Sequence, residues 1–164
     1  MSELRVRKRK RLREKELRAL SEEISSKVGV QVFTLEDTVD QAESSDMYLV
    51  FVNGEIDAFI IQGQAFLTVR GLLKYPATRS FVTVDMGAIR FVINGADIMG
   101  PGIVEADEGI RPGDMVWIRD ERNRKPLAVG QALVTGAEMA SKKPGKAIKS
   151  LLFVGDKLWK LEED

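Results

Sequence analysis

The chain predicts an α+β protein in two parts: an N-terminal helix packed on an antiparallel sheet, then a mixed β pseudo-barrel. Three observations carry this. One helical stripe near the start is followed by apolar segments separated by two-residue turn signals. The second half holds many short β-rich segments punctuated by glycine and proline, the pattern of a small barrel rather than an open sheet. Pro76 stands between the two patterns, so the expected domains are residues 1–75, with a basic N-terminal arm, and 76–164 with a C-terminal tail. A length of 164 residues suits two small domains, and 44% apolar content supports a folded core.

Residues 5–13, RVRKRKRLR, hold seven Lys/Arg in nine positions. Two readings fit: a solvated, frayed helix start or tail that neutralises the acidic stretch after it, or an arm (Arg5, Arg7, Lys8, Arg9, Lys10, Arg11) that touches phosphates. The helix that follows places Leu17, Leu20, Ile24 and Val28 on one stripe and ends at Gly29. Residues 30–33 suit a short strand. Residues 35–45 are acidic (Glu36, Asp37, Asp40, Glu43) and read as a connecting loop; they lack the glycine and terminal glutamate of a calcium loop, so a solvated acidic face is expected. Strands at 47–52, 56–61 and 65–69 are joined by Asn53-Gly54 and Gln62-Gly63, and such a meander needs the helix to cover one face.

In the second part, residues 80–84 are β-rich, and Asp85 is placed to cap a helix over 86–93 that would turn Ile89, Phe91, Val92 and Ile93 inward. Gly95 is the expected left-handed stop. Gly100-Pro101-Gly102 brings bare backbone to the surface. Pro112-Gly113 turns into a strand at 115–119, a charged loop leads to a return strand at 127–134, and a helical turn at 136–141 precedes the basic turn at 142–145. A strand at 147–154 closes the barrel. Trp117 and Trp159 read as core and interface anchors.

Composition excludes much chemistry. There is no cysteine and no histidine, hence no disulfide, no thiolate nucleophile and no imidazole for acid–base work or metal binding. No phosphate-binding glycine loop stands between a strand and a helix. The expectation is a protein that is not an enzyme, with no cofactor and no metal site. No apolar run approaches the about 20 residues that span a bilayer, so no membrane contact is expected and a cytoplasmic location is. Net charge is zero but unevenly spread: nine Lys/Arg against three acids in residues 1–20, three against nine in 21–75, and eleven against nine in 76–155.

Three motifs in order, GADIMGPGI (95–103), RPGD (111–114) and AVGQAL (128–133), resemble the PUA domain, an RNA-binding module of pseudouridine synthases and archaeosine transglycosylases. The resemblance covers residues 76–155. With the segment GKAIKSLLFVGDKLW (145–159), the whole layout is similar to archaeal stand-alone PUA proteins and to the malignant T-cell-amplified protein family. It implies an RNA face on the short helix, the loop after it and the last strand: Arg90, Asn94, Gly95, Ala96, Asp97, Met99, Gly100, Pro101 and Gly102, with Lys142, Lys143, Lys146 and Lys149 for phosphates. For Met99 a buried core position competes with that role, and for Asp97 a local hydrogen bond that fixes the turn does. The implied partner is tRNA or ribosomal RNA in translation or RNA modification, with no DNA expected. Two further functions stay open: a protein-interaction subunit that docks a translation factor through its N-terminal half, and an accessory chain of an RNA-modifying enzyme.

Overall fold

Helix α1, Glu14–Val28, forms where the stripe predicts it: Leu17, Leu20, Ile24 and Val28 are all buried. Gly29 stops it at φ 79°, where its N–H donates to the Ser25 carbonyl at 2.8 Å. The computed structural model describes residues 4–161. It divides into two units, Met1–Ala77 with Lys157–Asp164, and Thr78–Asp156.

The first unit is a five-stranded antiparallel sheet in the order β1-β2-β3-β4-β5, with β1 Arg7–Arg11, β2 Val39–Ser44, β3 Met47–Val52, β4 Glu55–Ile61 and β5 Gln64–Leu67. Asn53-Gly54 and Gln62-Gly63 have positive φ at both positions, the twist-matched hairpin turn that these dipeptides predict. Helix α1 seals the β5 edge with side chains: Lys27 Nζ donates to the Ala65 carbonyl at 2.7 Å, and the Ala65 amide donates to Glu23 Oε2 at 2.8 Å.

Four expectations need correction here. The basic run begins no helix; residues 7–11 are strand β1. The acidic stretch is not a connecting loop, because residues 39–44 are strand β2, paired with β1. Both errors have one cause, since each segment is held by the other's charge and neither carries a β-periodic apolar pattern. Residues 30–33 form no strand; Val32 and Phe33 are buried in an irregular segment tied to α1 by two serines. Ser25 Oγ accepts the Val32 amide at 3.1 Å, and Ser21 Oγ donates to the Phe33 carbonyl at 2.6 Å. The third meander strand stops at Leu67, where Thr68 accepts the Gly71 amide and caps helix α2, Val69–Lys74.

In the second unit, β6 Phe81–Val84, β7 Ile98–Met99, β8 Ile103–Ala106, β9 Met115–Asp120, β10 Pro126–Ala132 and β11 Lys146–Phe153 form a mixed sheet in the order β7-β11-β10-β9-β6-β8. Only the β6–β9 pair among these is parallel. The two end strands, β7 and β8, are consecutive in the chain, joined by one 3₁₀ turn at Gly100–Gly102. That turn draws the two ends together and curls the sheet into a half-barrel. Val82, Val84, Ile103, Ile118, Ala128 and Ile148 are fully buried within it. Helix α4, Gly136–Ala140, has Thr135 and Glu138 in a reciprocal capping box.

The helix expected over 86–93 is two short pieces, a 3₁₀ turn Met86–Ala88 and helix α3 Ile89–Val92. One turn of helix turns only one of the four apolar residues fully inward: Val92 is buried, while Phe91 is 54% exposed and Ile93 is also exposed. Asp85 caps this segment as expected, accepting the Ala88 amide at 2.9 Å. Helix α5, Lys157–Leu161, belongs to the first unit.

Candidate nucleic-acid interface

The Gly100–Gly102 turn at the barrel seam also floors a cleft. Its volume is about 650 Å³, and its lining includes Asp85, Ala88, Phe91, Ala96, Asp97, Met99, Pro101, Gly102 and Lys146. Gly95, at φ 86°, turns the chain sharply after α3 so that residues 96–102 can return beneath it. Its bare Cα also lies against the Phe153 ring, where a side chain would collide. Phe91 and Met99 are both about half exposed in the cleft wall, so Met99 is no core methionine. The Arg90 guanidinium lies 4.8 Å from the centroid of the Phe91 ring.

Polar groups sit at one side. Asp97 does not make the local turn-fixing bond expected of it. It reaches across to β11, where Oδ1 accepts the Ser150 amide at 2.9 Å and Oδ2 lies 3.1 Å from Lys146 Nζ. The Ser150 amide, then Lys146, hold its carboxyl below the ordinary carboxylate range. Lys146 pairs in register with Met99 and is the lysine of the basic group that lines the cleft. Lys142, Lys143 and Lys149 are exposed outside that lining, with Lys143 3.7 Å from Glu138.

Two of the expected RNA-face residues have a polar group engaged by the protein's own backbone. Asn94 Nδ2 donates to the Arg90 carbonyl at 2.7 Å. Gly100 is buried, donates its amide to the Gly145 carbonyl at 2.9 Å, and faces the Lys143 carbonyl so closely that no side chain fits. The bare backbone expected at the surface is therefore that of Gly102, with Gly100 required for packing.

The PUA domain family matches residues 81–151. An uncharacterised protein of Methanocaldococcus jannaschii is 40% identical, over 94% of this chain and 96% of its own. The malignant T-cell-amplified sequence 1 homolog of Drosophila melanogaster is 33% identical over 76% of this chain and 71% of its own. The chain belongs to this family of PUA-domain proteins. Translation machinery-associated protein 20 of Saccharomyces cerevisiae is 28% identical, over 83% of this chain and 84% of its own. A solved structure, a hypothetical protein of Pyrococcus horikoshii, has the same fold throughout, with a TM-score of 0.84, 32% identity, and coverage of 94% of this chain and 99% of that one. None of these names describes a reaction.

Within the PUA domain, the cleft brings together Ala96, Asp97, Met99, Pro101, Gly102 and Lys146 of the expected face with Asp85, Ala88 and Phe91, while Arg90, Asn94, Gly95, Gly100, Lys142, Lys143 and Lys149 stand outside its lining. Phe91 is the residue that sequence reasoning misplaced; the signal for it was helix length, since the helix expected over 86–93 is long enough to bury an apolar face and one turn is not. Among the described residues no group of three or more potential metal ligands occurs, and no helix is long and apolar enough to cross a membrane. The arm residues Arg7, Lys8, Arg9, Lys10 and Arg11 lie in β1, in the first unit, and Arg5 just before it.

Proposed function

We propose that this protein is a non-catalytic, cytoplasmic RNA-binding protein of translation whose PUA domain takes an unpaired end of tRNA or ribosomal RNA. The observation that carries the reading is the half-exposed pair Phe91 and Met99 facing a cleft with a lysine at its rim. An apolar slot of that size accepts a base face, since stacking on an aromatic ring is worth about 1–3 kcal/mol per base. Lys146, with Lys142, Lys143 and Lys149 nearby in the chain, supplies phosphate contacts outside it. The role in translation is supported by the names of the yeast relative and by membership of the family.

The test is affinity for tRNA with and without its single-stranded 3′ end, for wild type and Phe91→Ala. Wild type should prefer the intact end by about tenfold, and the variant should lose that preference. Equal affinity of wild type for both RNAs would refute the cleft as an end-binding site.

A second reading has its own observation. In the first unit a groove of about 480 Å³, lined by Leu17, Phe33 and Leu35 among others, leaves Leu35 exposed. A translation-factor protein docked there would survive nuclease treatment in a pull-down and be lost on Leu35→Asp.

A further inference from the structure

We infer that strand β1 is a second RNA-binding element, a preorganised rail of cations for a phosphate backbone, separate from the PUA cleft. The inference rests on the RNA-binding reading above and adds the first unit to it. Five consecutive cations, Arg7 to Arg11, occupy an end strand, and every one of them is exposed. At about 3.3 Å per residue the strand lays them along roughly 13 Å.

The rail is fixed rather than frayed. Arg9 Nε donates to Asp40 Oδ2 at 2.9 Å, and its guanidinium sits 4.0 Å over the Phe51 ring. Arg11 Nε donates to the other oxygen of Asp40. Each guanidinium has five N–H groups and, among the described residues, hydrogen-bonds through its Nε, so the rest of the fork faces outward for a ligand. Holding these side chains in place beforehand lowers the ordering cost of binding. Among the described residues Lys8 and Lys10 make only long pairs, 3.9 Å to Glu43 and 4.0 Å to Glu16, and both side chains stay well exposed.

A guard against edge-to-edge sheet pairing is the plainer role for charge on an end strand, and one lysine or a bulge does that. This strand already has its bulge, with Lys8 at φ 51° and the register shifting between Arg7 and Lys10. The same bulge disfavours a peptide adding as a sixth strand. Five cations against Asp40, Glu43 and Glu16 leave positive charge in excess, and a polyanion's regular charges match a row of cations on side chains rather than on backbone groups.

The experiment uses the full chain and a blunt RNA duplex, with tRNA carrying or lacking its 3′ end measured alongside. Affinities are read across a salt series for wild type, for Arg7→Gln/Lys8→Gln/Lys10→Gln, which leaves the Asp40 ties intact, and for Phe91→Ala. The triple variant should bind duplex at least tenfold more weakly at low salt, with a log–log salt slope shallower by about 0.9 for each phosphate it no longer neutralises. Its preference for the intact 3′ end should match wild type. A wild-type slope in the triple variant overturns the rail and leaves the cleft reading standing. Loss of slope in the triple variant with no end preference in wild type overturns the cleft and keeps the rail. Wild type that binds no duplex, or binds poly-glutamate of matched charge as tightly, overturns the assignment to RNA.

Discussion

Asp97 Oδ2 lies 3.1 Å from Lys146 Nζ, joining the short strand β7 region to β11 at the edge of the cleft. The ion pair is half in water, so its stabilising effect is small by itself. The Ser150 amide on the other oxygen matters more, and it is the leading cause of the depressed carboxyl pKa. A depressed folded pKa stabilises the fold fully above the ordinary carboxylate value of 3.8, and the gain is lost as pH falls through the folded value. Asp97→Asn should therefore cost about 1 kcal/mol at pH 7 and lose less stability than wild type on acidification. Urea melts between pH 2 and 7 read both; an acid limb as steep as wild type would contradict the assignment.

The seam turn makes a second prediction by contrast. A methyl at Gly100 meets the Lys143 carbonyl, backbone that cannot step aside, whereas at Gly102 the nearest atom is Ala88 Cβ at 3.3 Å. Gly100→Ala should destabilise by about 3 kcal/mol through overpacking and strain. Gly102→Ala should stay within about 1 kcal/mol of wild type. Denaturant midpoints of the two variants, compared side by side, distinguish them.

Legibility followed the range of the interactions. The α1 stripe, its Gly29 stop and the two positive-φ hairpins were readable because each is decided within a few residues. Strands β1 and β2 were not, because Arg9 and Arg11 meet Asp40 about thirty residues away and no local pattern announces the match. At the cleft, the motif over 95–103 marked Ala96, Asp97, Met99, Pro101 and Gly102, all of which line it. A helix over 86–93 would bury Phe91, and the break into a 3₁₀ turn and one α turn that exposes it is a tertiary outcome. The buried role of Gly100 likewise depends on Lys143, which lies on a distant turn.

The tail offers an optical test. In the first unit the Arg70 guanidinium lies 3.8 Å from the centroid of the Trp159 ring, and its Nη2 donates to the Trp159 carbonyl at 3.0 Å. Trp117, in the second unit, is buried with its indole N–H on the Arg79 carbonyl. Arg70→Ala should remove about 1–2 kcal/mol and shift tryptophan emission to the red through Trp159. A Trp159→Phe background should abolish that shift; its persistence would place the change at Trp117 instead.

Asp57 behaves oppositely to Asp97. It is fully buried on β4, with Lys74 Nζ at 3.0 Å from Oδ2, the Tyr75 hydroxyl at 3.5 Å, and, among the described residues, no hydrogen-bond partner for Oδ1. Burial raises its carboxyl pKa above 3.8 despite Lys74, and burial with the Asp57 charge raises the Tyr75 phenol. Above the ordinary carboxylate value the unfolded chain releases this proton first, so the folded state binds more protons and stability declines as pH rises to the folded pKa. Lys74 is what makes the charged form tolerable. Lys74→Met should cost about 3 kcal/mol at pH 7, because it leaves a buried carboxylate without its cation. The penalty should shrink toward pH 4 as the carboxyl takes up its proton. Paired urea melts of wild type and variant across pH 4–8 measure the difference directly, and a penalty that does not change with pH would mean Lys74 acts through packing of its stem alone.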